Sequence, residues 1–365
     1  MSFAQKLVAW QRRHGRRGLP WQETRDPYRV WLSEVMLQQT RVGTVIPYYR
    51  RFLAKYPTVE MLAAASEDGV LRLWSGLGYY ARGRNLHKAA QQIARNGFPR
   101  NRDGIGKLPG IGRSTAAAIA VFAFGERAAI LDGNVRRVLS RAYGVEGENV
   151  LWPLAERLLP RHGIETYTQA LMDLGATVCT RNPQCGACPV RGGCVARKTG
   201  RIAELPAARR RSRLPLRRAT WFVATDGAKV LLERRPSAGI WGGLWCFPEE
   251  MPPVPVRSAR KLAPIHHGFT HFRLHIQPVL CEVTLAAGAG WLTLREACAS
   301  ALPAPVRGLL QALRSGAPAA RAHRRARAAP ASLPAAAAGS PRAASSPTRT
   351  SRAGAAARAA PGAAR

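Results

Sequence analysis

A glycine-containing turn next to an alanine-rich stretch is the feature that most restricts the fold of this chain. Residues 108–115 read LPGIGRST and lead directly into an apolar run from Ala116. Gly110 and Gly112 allow a tight backbone turn with outward-pointing amides, and the N-terminus of the alanine-rich helix from Ala116 adds a positive dipole. The pattern predicts a helix-hairpin-helix that binds phosphate without reading base sequence, although an ordinary connection between helices has the same signature.

The charge balance indicates the kind of partner. Lys and Arg number 56 against 21 Asp and Glu, a formal charge of +35, which points to a polyanion and most simply to nucleic acid. Charge alone leaves an acidic surface or an anionic membrane open. The longest apolar run, residues 116–124, is too short to span a membrane, and the N-terminus lacks the apolar core of a signal peptide. We therefore expect a cytoplasmic protein without membrane contact.

Periodicity and composition divide the chain into four parts. Residues 1–199 repeat apolar positions every three or four residues and are predicted to be helical, and residues 200–218 read as a basic linker. Residues 219–313 show strand alternation and an Asp226-Gly227 hairpin signal, so they predict a small α+β domain. The Ala- and Arg-rich residues 314–365 lack acids and aromatics and are predicted to be a disordered tail.

Glu34 is the first candidate for chemistry. It lies in residues 31–40 (WLSEVMLQQT), among apolar neighbours that raise the pKa of a carboxylic acid by desolvation. Gln38 follows four residues later, which predicts that it shares the helix face of Glu34. A protonated acid beside amides that can bond base edges fits attack on a nucleobase, whereas a surface position on an amphipathic helix is the plainer alternative.

Two further segments carry candidate residues. Asp132, in residues 130–138 (ILDGNVRRV), is a single carboxylate within a strongly basic stretch, and its alternative role is to cap a helix. Tyr79 and Tyr80 follow the glycine-containing turn at residues 76–78. This aromatic pair either packs in the core or inserts into a base stack.

Four cysteines fall within sixteen residues: Cys179, Cys185, Cys188 and Cys194. A tight cluster in a large basic protein indicates a metal site rather than a disulfide scaffold. Four thiolates can hold one structural zinc or one iron–sulfur cluster, and the spacing alone does not choose between them.

Taken together, these segments resemble the helix-hairpin-helix DNA glycosylase superfamily and, within it, the adenine DNA glycosylases of the MutY type. The resemblance rests on residues 31–40, residues 76–82 (GLGYYAR), the hairpin, residues 131–134 (LDGN) and the four cysteines. Residues 239–248 (GIWGGLWCFP) and 269–272 (FTHF) are similar to the Nudix-related recognition domain of that family. The implied fold is two helical subdomains with an iron–sulfur loop, then the α+β domain. The subdomains are a six-helix barrel at about 22–130 and a cluster subdomain formed by 1–21 and 131–199.

The resemblance also implies a function and a set of site residues. The expected activity is excision of adenine opposite 8-oxoguanine or guanine in duplex DNA by a monomeric, nucleoid-associated enzyme. Glu34 would protonate the flipped adenine and position water, Asp132 would stabilise the sugar cation, and Asn134 would orient them. The four cysteines would hold a 4Fe–4S cluster. The residues expected to contact DNA are Gln38, Gln39, Thr40, Tyr79, Gly110, Gly112, Ser114, Phe269, Thr270 and His271.

Three other functions compete with this interpretation. An endonuclease III-like enzyme that excises oxidised pyrimidines and cuts the strand needs an amine nucleophile in the hairpin, where this chain has Ser114. A Nudix hydrolase of free nucleotides needs clustered glutamates on one helix, and residues 219–313 lack an Arg-Glu-x-x-Glu-Glu motif. A non-catalytic damage sensor would bind DNA without releasing a base, and only an assay separates it from the enzyme.

Overall fold

The structure, a computed structural model, describes residues 1–207, 213–284 and 288–315. The predicted disordered tail lies, from residue 316 onward, outside the described residues. Residues 208–212 of the predicted linker also lie outside the described residues. None of the described helices has the length and apolar character that a membrane crossing requires.

The chain up to residue 198 is built from helices, as the periodicity predicts. Side-chain oxygens of Ser2, Asp26, Thr58, Ser66 and Asn101 accept hydrogen bonds from backbone amides of the first turns and so fix where several helices begin. The helices are α1 (Phe3–His14), α2 (Pro27–Leu37), α3 (Val42–Lys55), α4 (Val59–Ala64), α5 (Glu67–Trp74), α6 (Tyr80–Asn96), α7 (Arg102–Ile105), α8 (Arg113–Phe124), α9 (Gly133–Tyr143), α10 (Glu148–Arg157), α11 (Ile164–Asp173) and α12 (Val195–Lys198). A π-helical turn (Leu174–Val178) continues α11, and two short 3₁₀ turns (Cys185–Ala187 and Arg191–Gly193) follow.

Helix α8 belongs to both large hydrophobic cores of the helical region. Its Ile119 packs in the first core with Trp31 and Phe52, which are fully buried. Its Val121 packs in the second core, which also contains Leu7 of α1 and Tyr167 of α11. Because α8 packs into both cores, the hairpin that precedes it has a fixed position between them.

A buried carboxylate joins the N-terminal helix to α11. Asp173 is fully buried and accepts hydrogen bonds from the Gln11 side chain at 2.9 Å and from the backbone and side chain of Arg16, each at 2.8 Å. The Gln169 amide donates to the same carboxylate at 2.8 Å. Because each of these donors reaches Asp173, its charge is compensated and α1 is fixed against the second core.

The C-terminal region is an α+β domain, as predicted. Its strands are β1 (Leu216–Thr225), β2 (Lys229–Leu231), β3 (Glu233–Arg234), β4 (Trp245–Cys246), β5 (Val256–Lys261), β6 (Ile265–Gly268), β7 (Arg273–Val283) and β8 (Trp291–Thr293). Helices α13 (Leu294–Ala299) and α14 (Ala304–Arg314) follow. Strand β1 begins at Leu216, within the segment predicted as linker.

The main sheet of this domain has the order β5-β7-β1-β2-β8, with β6 also paired to β7 and β3–β4 forming a separate ladder. β1 and β7 run parallel, with Trp221 opposite Pro278, and the other pairs of the main sheet are antiparallel. Trp221, Phe247 and Leu310 are buried in the core between the sheet and α14. The sheet thereby fixes the β6–β7 turn that carries Phe269, Thr270 and His271.

Candidate active site and DNA-facing surface

Glu34 lies on α2 among buried apolar residues. Its neighbours Val35 and Met36 are buried, and Glu34 itself is partly buried. Burial, and after it the nearby negative charge of Asp132, raise the pKa of Glu34 to about 8. At neutral pH this site therefore holds a carboxylic acid that retains its proton.

Asp132 precedes α9 and caps it. Its Oδ1 accepts a hydrogen bond from the backbone amide of Val135 at 2.7 Å, so the capping role considered from the sequence is present. Burial raises the pKa of Asp132, while hydrogen bonds from Val135 and Asn134 and the charge of Arg137 act in the opposite direction. The same carboxylate that caps the helix is therefore also an electrostatic neighbour of Glu34.

Asn134 connects Asp132 to the segment before the first cysteine. Its Oδ1 accepts from Arg137 Nη2 at 2.9 Å, and the polar groups of Asn134 act to lower the pKa of Asp132. A Cβ on Gly175 would lie 2.6 Å from the Asn134 Cβ, so the close approach of the π-helical turn requires glycine there. Arg137 also donates to the Cys179 carbonyl at 2.7 Å, a link that the sequence reasoning missed.

The hairpin has the predicted turn, but only one of its two glycines is needed for it. Gly110 has a φ of 79°, and a Cβ there would lie 2.9 Å from the Asn85 Cβ. Gly112 has a φ of −88° and open space around it, so neither its backbone angle nor its surroundings require glycine there. Ser114 Oγ accepts a hydrogen bond from the Leu131 amide at 3.0 Å, which ties the start of α8 to the segment leading into Asp132.

Gln38 does not lie on the helix face of Glu34, because α2 ends at Leu37 and Gln38 has left the helical conformation. Its amide instead reaches the hairpin, donating to the Gly110 carbonyl at 3.4 Å and to Thr115 Oγ1 at 3.3 Å. Gln39, the next residue, is exposed and has a left-handed φ of 56°. The two glutamines therefore lie at the junction of α2 and the hairpin.

Arg82 of α6 is a further residue that the sequence reasoning did not single out. Its guanidinium donates to Thr40 Oγ1 at 3.0 Å and lies near the rings of Trp74 and Tyr79, at 5.4 and 5.5 Å. It also donates to three carbonyl groups at the end of α2, those of Val35, Met36 and Gln38. Burial lowers its pKa to about 10, so it remains charged at neutral pH. Its place in the GLGYYAR segment, residues 76–82, was the feature of the sequence that could have identified it.

Tyr79 and the β6–β7 turn face one cavity between the helical region and the C-terminal domain. Tyr79 has left-handed backbone angles and is 44% exposed. The cavity has a volume of about 740 Å³ and is lined by Tyr79, Trp241 and the turn residues Phe269, Thr270 and His271. Among the described residues, Glu34 and Asp132 do not line it, so the candidate acids and this cavity are separate parts of the surface.

Phe269, Thr270 and His271 form the turn between β6 and β7. β6 ends at Gly268 and β7 begins at Arg273, and the Phe269 amide donates to the Phe272 carbonyl at 2.9 Å. Phe269 is half-buried and stacks on Phe272 with ring centroids 4.3 Å apart. Thr270 and His271 are exposed, so the turn presents polar atoms beside a supported aromatic ring.

The four cysteines are free thiols that line one cavity. Cys179 follows the π-helical turn and Cys194 precedes α12, while Cys185 begins a 3₁₀ turn and Cys188 follows it. Arg141 is buried beside them, with its Nη1 3.7 Å from Cys179 Sγ. In the part of the chain that the structure describes, no three His, Cys, Asp or Glu side chains converge closely enough for a single metal ion.

Comparison with protein families agrees with both halves of the structure. Residues 32–152 match the HhH-GPD superfamily of base excision DNA repair proteins, and residues 220–312 match the NUDIX domain. The chain is similar to a solved thermostable thymine-DNA glycosylase, with 31% identity and a TM-score of 0.51, covering 54% of this chain and 95% of that one. The helix-hairpin-helix and Nudix predictions are thus confirmed.

Comparison with curated proteins covers most of the chain. An adenine DNA glycosylase of Buchnera aphidicola (subspecies Baizongia pistaciae) is 34% identical over 331 residues, 83% of this chain and 94% of that protein. The adenine DNA glycosylase of Rattus norvegicus is 35% identical over 385 residues, 81% of this chain and 74% of that protein. Together with the helix-hairpin-helix fold and the Nudix domain, these matches show that the chain belongs to the adenine DNA glycosylase family and is a base-excision DNA glycosylase.

Proposed function

We propose that this glycosylase hydrolyses the N-glycosidic bond of adenine paired with 8-oxoguanine or guanine in duplex DNA, acting as a monomer. The observation that carries the proposal is Glu34, an acid whose pKa is raised to about 8 near a second partly buried carboxylate, Asp132. Two acids in differing environments suit a reaction that needs one proton donor and one stabilising charge. A cytoplasmic, nucleoid-associated location stays a prediction.

In the proposed mechanism, Glu34 donates its proton to N7 of a flipped adenine. The bond between the sugar C1′ and N9 then breaks, and its electron pair leaves with the adenine. Asp132 stabilises the resulting oxocarbenium sugar as an anion, and Asn134 would help to orient it. Water adds to C1′ and loses its proton to the Glu34 carboxylate, which restores the acid.

Other site residues would extrude the base and read its partner. Flipping leaves a gap that must be filled from the protein side, and Tyr79 is the exposed aromatic residue of the GLGYY turn. We infer that Gln38, Gln39 and Thr40 support the opened pair and that Gly110, Gly112 and Ser114 hold a phosphate. Phe269, Thr270 and His271 would contact the 8-oxoguanine from the cavity that they share with Tyr79.

Base release from four duplexes tests this proposal. Adenine is placed opposite 8-oxoguanine, guanine, cytosine or thymine, and the freed base is identified by chromatography under single-turnover conditions. We expect fastest release opposite 8-oxoguanine, slower release opposite guanine and little opposite thymine. Tight binding without any freed base would indicate a damage sensor instead. Release of an oxidised pyrimidine with strand cleavage would support the endonuclease III-like alternative.

The Ser114 position gives a prediction about strand cleavage. Because the Ser114 hydroxyl offers no amine, borohydride is expected to trap little protein on the abasic product. Ser114→Lys places an amine beside the hairpin and is expected to gain measurable strand cleavage. Ser114→Ala serves as the matched control, since it also loses the hydrogen bond from Leu131. Efficient trapping by the unaltered protein that depends on residue 114 would contradict the assignment.

We propose that the four cysteines hold a 4Fe–4S cluster, which is expected for this family. The donor set consists of four free thiols around one cavity, and the nearby guanidinium groups of Arg141, Arg191 and Arg197 compensate thiolate charge. Four thiolates around one cavity can hold either an iron–sulfur cluster or a single zinc, and the family favours the cluster. Such a cluster would fix the loop against α9 and present its basic residues to DNA.

Metal analysis checks the cysteine assignment. We expect a brown protein with about four irons per chain and a broad visible absorbance. Cys179→Ser is expected to lower the iron content, whereas Cys298→Ser, outside the cluster, leaves it unchanged. One zinc and no iron would contradict the proposal, and full iron in Cys179→Ser would remove Cys179 from the ligand set.

A further inference from the structure

The segment that carries Tyr79 is conformationally strained. Gly76, Gly78 and Tyr79 all have positive φ, at 106°, 72° and 49°. A Cβ on Gly76 would collide with the Tyr48 hydroxyl, and Tyr79 adopts a left-handed conformation that a side chain disfavours. Such a conformation persists only where the surrounding structure imposes it. The contacts that fix both ends of this loop therefore determine where Tyr79 points.

Within the helical region, the loop is held by Trp74, Arg82 and Tyr48. Trp74 Nε1 donates to the Gly78 carbonyl at 3.1 Å, and the Tyr48 hydroxyl donates to the Ser75 carbonyl at 2.9 Å. Arg82 donates to the Leu77 and Gly78 carbonyls, each at 3.3 Å. These hydrogen bonds fix the backbone carbonyls of the loop from the side of the helical region.

The C-terminal domain holds the same loop from the other side. The buried carbonyl of Leu302 accepts from Ser75 Oγ at 2.8 Å and from the Tyr80 hydroxyl at 3.1 Å. Arg307 of α14 donates through Nη2 to Ser75 Oγ at 2.9 Å and through Nη1 to the Cys298 carbonyl at 3.2 Å. Ser75 and Tyr80 lie directly before and after residues 76–79, so the Leu302 carbonyl holds both ends of the loop and Arg307 reinforces the end at Ser75.

We propose that this network of Ser75, Tyr80, Leu302 and Arg307 positions Tyr79, and that Arg307 is a positioning residue through which the C-terminal domain acts on base extrusion. The role of Tyr79 in base extrusion rests on the proposed function. The position of the loop at residues 76–79 does not depend on it. Because the network spans the domain boundary, the C-terminal domain contributes to excision opposite any partner base, in addition to any contact that it makes with the lesion.

Other contacts across the boundary provide a matched control. Arg234 of β3 pairs with Glu67 at 3.2 Å, at the end of α5 remote from Ser75. Arg234→Met therefore removes a charged contact between the same two domains without touching the loop. Arg307→Met removes the two hydrogen bonds of Arg307, Arg307→Lys retains a cationic donor, and Ser75→Ala removes a single hydroxyl.

The first test is hydrogen exchange of the free full-length protein, followed at the amides of residues 76–80. Arg307→Met and Ser75→Ala are expected to speed exchange about tenfold, the effect of losing one hydrogen bond to a charged group. Arg307→Lys should recover part of the protection, and Arg234→Met should leave these amides unchanged. Unchanged exchange in Arg307→Met and Ser75→Ala, or an equal rise in Arg234→Met, would overturn the proposal. This readout stands even if the protein releases no adenine.

The second test is a double-mutant cycle on single-turnover release of adenine opposite guanine. Arg307→Met is expected to slow release about tenfold in the native background. In the Tyr79→Ala background it should cause no further loss, because the network acts through Tyr79. Additive losses would mean that Arg307 acts elsewhere. Absence of release by the unaltered protein would refute the proposed function and leave the exchange result to decide the position of the loop.

Discussion

Glu34→Gln is expected to slow adenine release by about 10²–10⁴-fold, the range that loss of a general acid produces. Glutamine has nearly the same shape and keeps the polar contacts of the site, but it has no proton to donate to the base. Single-turnover kinetics on a duplex with adenine opposite 8-oxoguanine measure the loss. Binding of the duplex should remain close to that of the unaltered protein. Retained release in Glu34→Gln would remove Glu34 from the reaction.

The same substitution is expected to stabilise the fold. The pKa of Glu34 is about 8 in the folded protein against an ordinary value of 4.5, so folding takes up a proton between these pH values. Stability contributed by this group is therefore present at low pH and is lost as pH rises toward 8. The glutamine side chain of the variant stays neutral throughout, so the melting temperature of Glu34→Gln should exceed that of the unaltered protein by a few degrees near pH 8. Equal melting temperatures of the unaltered protein at pH 5 and pH 8 would argue against a buried acid.

Asp132→Asn separates the two roles of Asp132. Asparagine caps helices about as well as aspartate, so the free energy of unfolding should change by less than about 1 kcal/mol. The negative charge beside the sugar is lost, and adenine release is expected to fall about 10²–10³-fold. Single-turnover kinetics and thermal unfolding of the same preparation give both numbers. Normal release with lowered stability would mean that Asp132 is only a cap.

The fold class follows from sequence because its signals are local. The glycine turn before an alanine-rich helix, the apolar periodicity to residue 198 and the Asp226-Gly227 hairpin each act within a few residues. The raised pKa of Glu34 agrees with its apolar neighbours for the same reason. These features need no knowledge of the rest of the chain.

The parts that sequence reasoning missed depend on contacts between distant segments. Gln38 leaves α2 and reaches Gly110, which is 72 positions later, so helix periodicity placed its side chain incorrectly. Arg307 touches Ser75 across 232 positions, and no local pattern marks either residue. The turn at residues 269–271 likewise depends on two strands that pair with each other, β6 and β7. Only the pairing of β6 with β7 reveals the turn.

If a protonated Glu34 and an ionised Asp132 act together on adenine, the rate constant of adenine release must depend on pH in a defined way. The single-turnover rate constant is measured from pH 5 to pH 10 at saturating enzyme, on adenine opposite 8-oxoguanine. We expect a plateau at low pH and a fall of about tenfold per unit above about pH 8, as the acid loses its proton. In Asp132→Asn the fall should begin at lower pH, since the neighbouring charge that raises the pKa of Glu34 is gone. A rate constant that rises through pH 8, or an Asp132→Asn profile with an unmoved midpoint, would contradict the account.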